Sequence, residues 1–260
     1  KTFNPGTVNA KTALRDLSLT LHEGDFVTVI GGNGAGKSTM LNAVAGSFSV
    51  DTGRIMIDGT DVTHLPEHKR AAFIGRVFQD PMMGTAPTMQ IEENLALAAR
   101  RGQRRGLKWG VTNAEREEYH EKLKMLGLGL EDRMTAKVGL LSGGQRQALT
   151  LLMASLKRPK LLLLDEHTAA LDPTTAAKVL ELSDKIVEEN GLTAMMITHN
   201  MTDAIRHGIV YLSEDRKQLG LFMNMSILDN VLFSYLPKLK GKAGLLNLKS
   251  GDDICQKQIE

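Results

Sequence analysis

The stretch Phe26-Val27-Thr28-Val29-Ile30-Gly31-Gly32-Asn33-Gly34-Ala35-Gly36-Lys37-Ser38 joins a short apolar run to a glycine-rich turn, and residues 37–45 after it favour a helix. A continuous apolar run bounded by glycine reads as a buried strand, so the order is strand, loop, helix. Gly31 to Ser38 fits the phosphate-loop pattern G-x-x-x-x-G-K-[ST] in the context that the pattern requires. Glycines let successive backbone N–H groups curl around phosphate oxygens without a Cβ in the way. The helix that follows points its positive end at the same anion. Lys37 is placed to reach the β- and γ-phosphates, and the Ser38 hydroxyl to ligate Mg²⁺. The competing reading is a chance glycine-rich turn before a helix.

Working outward, two further apolar runs end in polar residues. Leu161 to Leu164 runs into Asp165-Glu166, and Thr193 to Thr198 runs into His199. In open α/β sheets ligands bind at the C-terminal ends of the strands, because loops and helix starts converge there. Asp165 is expected to hold Mg²⁺, and Glu166 to polarise the attacking water as general base. Successive strand residues point to opposite sides, which gives the two acids different work. From about Thr88 to Leu141 the text turns charged and helix-favouring (91–101 and 114–126), as an inserted helical subdomain would. It holds the basic run Arg100-Arg101-Gly102-Gln103-Arg104-Arg105, read as a solvated loop between helices, the alternative being a docking or phosphate-contacting surface.

Composition narrows the classes. The 260 residues carry 32 Lys plus Arg against 30 Asp plus Glu, a formal charge of +2, so no global nucleic-acid signal exists. The single Cys255 has no internal disulfide partner, and with the methionines it suits a reducing compartment. No apolar run reaches the ~18 residues needed to span a bilayer, and no signal peptide is expected. Any membrane role is expected to come through a partner.

Leu141-Ser142-Gly143-Gly144-Gln145 precedes an apolar stretch read as a helix over 148–156, and Ser142 lies 23 residues before Asp165. A serine followed by two glycines at a helix start is another anion-binding terminus. With this pentapeptide the chain resembles the ATP-binding cassette (ABC) family over residues 1 to about 207. The resemblance implies an α/β fold: a P-loop NTPase core of ABC ATPase type with an inserted helical subdomain. Residues 1–87 and 142–212 form the nucleotide-binding core, 88–141 the helical subdomain, and 213–260 an atypical C-terminal segment. It implies that ATP is bound by Phe3, Gly31, Gly32, Asn33, Gly34, Ala35, Gly36, Lys37, Ser38 and Thr39, with Phe3 stacking on adenine. The alternative for Phe3 is a staple over the first strand. Gln79, in Val77-Phe78-Gln79-Asp80, lies 42 residues after Lys37 and matches the glutamine that joins Ser38 and Asp165 on Mg²⁺. Glu166, His199 and Gln79 form the implied catalytic set, His199 as the switch histidine on the γ-phosphate. Ser142, Gly143, Gly144, Gln145 and Asp172 are implied to contact the ATP of a partner subunit.

The cofactors implied are ATP and Mg²⁺. The partners implied are a second copy, integral membrane permease subunits and a solute-binding protein, with no nucleic acid. The place implied is the cytoplasmic face of the cell membrane, peripherally bound, and the role is ATP hydrolysis that powers solute uptake. The alternatives are a soluble ABC-type ATPase or a nucleotide-binding module without transport function, which co-purification with a permease separates.

One departure narrows the resemblance. Most cassettes carry proline after the catalytic glutamate, whereas this chain reads Asp165-Glu166-His167-Thr168-Ala169-Ala170-Leu171-Asp172-Pro173. That text, with residues 78–85 and 91–98, is similar to a poorly characterised bacterial importer group found with a permease and a binding protein linked to aromatic amino acids. From Gly208 the text resembles the glutamine-loop region of the second cassette of double-cassette sugar importer ATPases. At an offset of 136, Met89, Ile91 and Asn94 recur as Met225, Ile227 and Asn230. Residues 209–212 suit a buried strand, which would patch the sheet. The alternative is that Ser213 to Lys217 acts as a second glutamine-loop-like element.

Overall fold

Four leucines in a row, Leu161 to Leu164, show how the core is built. The computed structural model describes residues 1–103 and 110–198, with the backbone of 209–211. The described chain opens with the short pair β1 (Thr2–Phe3) and β2 (Lys11–Thr12), then β3 (Phe26–Ile30) and α1 (Lys37–Ala45). The small pair β4 (Met56–Ile57) and β5 (Thr60–Asp61) follows, then α2 (Glu67–Arg70) and β6 (Ile74–Val77). Helices α3 (Ile91–Ala99), α4 (Asn113–Lys124) and α5 (Gly143–Ser155) come next, then β7 (Leu161–Asp165), α6 (Pro173–Asn190), β8 (Ala194–Ile197) and β9 (Ile209–Tyr211).

Strands β6, β7, β8, β3 and β9 form one sheet in that order, each pair parallel. Side chains alternate across a sheet, so β7 is divided between its two faces. Leu161 and Leu163 join an apolar cluster with Met40 and Leu41 of α1. Leu162 and Leu164 join another with Leu151 of α5 and Ile186 and Val187 of α6. Burial on both faces is why the strands read as unbroken apolar runs, and each fully buried leucine contributes about 1.5–3 kcal/mol.

A third cluster gathers Ile91 and Leu95 of α3, Tyr119 and Leu123 of α4, Leu130, Val138 and Leu141. It also takes Ala148, Leu149 and Leu152 of α5, while Leu151 and Ala154 of that helix face the sheet. Helix α5 therefore belongs to both cores. It starts at Gly143, earlier than the apolar stretch over 148–156 suggested, because Ser142 and Gln145 form a capping box that satisfies orphan N–H groups of its first turn. In the basic run, Arg100 and Arg101 depart from a solvated loop. Arg100 donates to the Gly110 carbonyl and bonds Glu115 at 2.9 Å, and Arg101 bonds the Ala154 carbonyl at 3.1 Å. Arg104 and Arg105 lie outside the described residues. At the far edge of the sheet β9 pairs with β3, Val29 opposite Val210, in keeping with the strand expected over 209–212. The segment from residue 212 on lies outside the described residues.

Candidate functional site

Register brings the polar strand ends together. Val29 lies opposite Ile197, and Ile197 opposite Asp165, while Val77 lies opposite Leu164. Just beyond this row lie Ile30, which leads into Gly31, then Thr198, Glu166 and, past Phe78, Gln79. Parallel pairing puts all C-terminal strand ends on one edge, which is why motifs distant in sequence meet there.

The glycine-rich loop ends at Gly36, the residue that caps α1 at φ 91°. A Cβ there would stand 2.6 Å from the Ala13 carbonyl oxygen, so only glycine fits without moving the backbone. Helix α1 starts with no side-chain cap and no acid in its first turn. Its positive end is thus left for an anion. Lys37 is 5% exposed, and its ammonium donates to the carbonyls of Gly31 at 2.8 Å and Gly32 at 3.0 Å. A buried ammonium needs such partners, and the two bonds use two of its three protons. Ser38 is exposed and Thr39 half-buried on the same turn.

Across the edge, Asp165 is half-buried. Burial pushes its carboxyl up, while the Arg76 guanidinium, 3.6 Å away, pulls it down. Arg76 also donates to Asn42 Oδ1 of α1 at 2.6 Å and lies 4.6 Å from the centre of the Phe78 ring. It ties α1, β6 and β7 around the acid. A carboxylate (Asp165), a hydroxyl (Ser38) and an amide (Gln79) are hard oxygen donors of the kind Mg²⁺ takes alongside substrate phosphates. The burial that disfavours a bare charge on Asp165 favours a cation beside it, so these residues fit the ion.

Glu166 departs from the expected pleat alternation. Strand β7 ends at Asp165, and Glu166 turns away at φ 44°, a left-handed conformation that costs a non-glycine residue about 1–2 kcal/mol. Its N–H bonds the Ile197 carbonyl at 3.0 Å, and its carbonyl accepts from the Ala169 N–H at 2.9 Å. The turn, and not the strand, therefore separates the two acids.

The other expected residues are placed as follows. Gln79, Ser142, Gly143 and Asp172 are exposed, Gln145 is half-buried and Gly144 buried. Asp172 caps α6, its carboxylate accepting from the Thr175 N–H at 3.0 Å, and hydrogen bonding to Thr175, through its side chain first and its backbone second, holds the Asp172 pKa below the ordinary range. Phe3 is half-buried, edge-on to Phe48 with ring centres 5.3 Å apart. His199 lies outside the described residues. Two links from α5 were not expected. Gln147 donates to the Phe78 carbonyl at 3.1 Å, and Arg146 contacts Met82 while bonding the Val138, Gly139 and Leu141 carbonyls. The helix headed by Ser142 thus grips both sides of Gln79. Arg76 was missed as well, although a charge inside the apolar run Ile74 to Val77 was the signal that could have found it.

Comparison with known proteins agrees with this arrangement. A family model described as ABC transporter matches residues 14–169, more than half of the chain. A tyrosine transport ATP-binding protein of Clostridioides difficile (strain R20291) is 47% identical over 197 residues, covering 76% of this chain and 78% of that protein. A methionine import ATP-binding protein of Corynebacterium diphtheriae is 39% identical over 211 residues, covering 79% of this chain and 58% of its own length. Among solved structures, the dimeric post-hydrolysis state of the ATP-binding cassette MJ0796 bound to ADP and Pi matches with a TM-score of 0.69 at 32% identity, covering 82% of this chain and 90% of that one. Order of motifs, strand-edge geometry and similarity agree, and the chain belongs to the ABC transporter family as an ATP-binding domain.

Proposed function

We propose that this chain is the ATP-hydrolysing subunit of an importer and works as a pair of copies. The observation that carries the reading is the register that sets the Lys37 loop, Asp165 and Glu166 on one sheet edge, in front of an uncapped helix start. Residues 31–39 bind the phosphates, and Lys37 exchanges loop carbonyls for phosphate oxygens. Glu166 takes a proton from water as its oxygen bonds the γ-phosphorus and the bond to the β-phosphate oxygen breaks, giving ADP and phosphate. His199 bonds the γ-phosphate and Phe3 stacks on adenine. Mg²⁺, held by Ser38, Gln79 and Asp165, would offset the charge that builds between the β- and γ-phosphates.

Ser142, Gly143, Gly144, Gln145 and Asp172 of a second copy complete the cage, so hydrolysis removes contacts that hold the pair shut. The exposure of Ser142, Gly143 and Asp172 and the dimeric state of the MJ0796 neighbour support this. Residues 1–87 and 142–212 act as the core and 88–141 as the helical subdomain, with α5 shared. Permease subunits dock near Gln79, where α5 grips the chain, and place the protein on the inner face of the membrane beside a solute-binding protein. Among the described residues no helix is long and apolar enough to cross a membrane. The names of the tyrosine and methionine relatives support an amino acid as cargo. The segment after Gly208 is read as resembling part of a second cassette.

Glu166→Gln keeps the shape of the site and removes the base. Size-exclusion chromatography with ATP is expected to show a stable dimer that does not turn over. A variant that hydrolyses at the parental rate, or stays monomeric with ATP bound, overturns the reading.

A further inference from the structure

The residue after Glu166 is a histidine that the proposed reaction leaves unused. His167 is 2% exposed, and its Nε2 lies 2.9 Å from Ser183 Oγ on α6. Ser183, also buried, donates its hydroxyl proton to the Val179 carbonyl at 2.8 Å. A serine has one proton to give. With that proton committed, Ser183 can only accept, so His167 donates from Nε2. The relay runs His167 to Ser183 to Val179, and it fixes one tautomer of the ring.

The ordinary reading is a satisfied core histidine that serves packing alone. Its position argues for more. Glu166 sits at φ 44°, and such a conformation persists only where its surroundings hold it. On one side the Ile197 carbonyl holds the Glu166 N–H. On the other, the peptide that joins Glu166 to His167 cannot rotate without drawing the imidazole away from Ser183. The same bond fastens the turn to α6, whose first turn is capped by Asp172. A buried, hydrogen-bonded polar pair restricts its two side chains to one geometry.

We infer that His167 is a positioning residue for Glu166: its Nε2–H bond to Ser183 aims the carboxylate at the water and couples its turn to the helix that carries Asp172. The inference rests on Glu166 being the general base, and the test keeps the two claims apart. Steady-state ATPase kinetics, ATP affinity and melting temperature are measured on the full chain with Ser183→Ala, Ser183→Thr, His167→Phe and Glu166→Gln. Ser183→Ala and His167→Phe are expected to lower kcat by about tenfold or more, toward the roughly 10²-fold that a 1 Å misplacement can cost, with KM for ATP unchanged. Ser183→Thr, which keeps a hydroxyl able to bond the carbonyl four residues back, is expected to restore kcat.

Parental kcat in Ser183→Ala, with a lowered melting temperature alone, overturns the positioning role. If Glu166→Gln still turns over, the general-base reading falls; if it is inactive while Ser183→Ala is not, only the inference falls. Nitrogen NMR of the unaltered protein stands whether or not the variants fold. It is expected to show the His167 proton on Nε2, and a proton on Nδ1 overturns the relay.

Discussion

Lys37 and His167 illustrate opposite uses of a buried side chain. Lys37 is held beneath its loop by two carbonyls, and a charge-assisted contact to phosphate is worth about 1.5–3 kcal/mol. Lys37→Ala is therefore expected to weaken ATP binding roughly 10- to 150-fold by calorimetry, and unchanged affinity would remove the phosphate-loop assignment. His167 is kept neutral: burial pushes its imidazole from the ordinary 6.5 down to about 4, with the Asp184 charge opposing. The unfolded chain then binds more protons than the folded one between those values. This contribution to stability is fully present above pH 6.5 and is lost as pH falls through about 4. Asp165, raised by burial, works in the opposite direction in parent and variant alike. The urea midpoint of the parent is thus expected to fall more steeply over that window than that of His167→Phe.

Elements here are held at their ends as much as along their faces. Helix α1 carries the phosphate loop at one end, and its last carbonyls need partners at the other. Arg70, 2% exposed, supplies them. It donates to the carbonyls of Ala43 and Val44 in α1, and to those of Leu65 and Thr63 in the connection. Arg70→Met keeps much of the volume and strips all four acceptors of their donor. It is expected to cost about 3 kcal/mol or more in urea unfolding without a change in slope. The start of α4 was legible to within a residue, and Thr112 with Glu115 forms a capping box there. The start of α5 was not read at Gly143, because two glycines look unhelical until the cap that offsets them is counted.

Across the whole molecule, ATP binds only where the strand edge is assembled, so the nucleotide should report on folding. At an ATP concentration of about 100 times Kd the folded state gains about 2.7 kcal/mol, which corresponds to a rise of roughly 5–10 °C in melting temperature. Scanning calorimetry with and without ATP checks it, and no shift at saturation would mean that the loop does not close on nucleotide. Much of this molecule followed from local order along the chain. The glycines before Lys37, the apolar strands ending in Asp165 and Ile197, and the serine and glycines of residues 142–144 act through backbone conformation and helix starts, which depend on near neighbours. Other features depended on strand order and packing, which spacing cannot encode. Arg76 meets Asp165 only because β6 and β7 are adjacent, and His167 meets Ser183 only because α6 packs back on the sheet. The left-handed turn at Glu166 was not read for the same reason: its N–H is held by the Ile197 carbonyl of β8, which lies later in the chain.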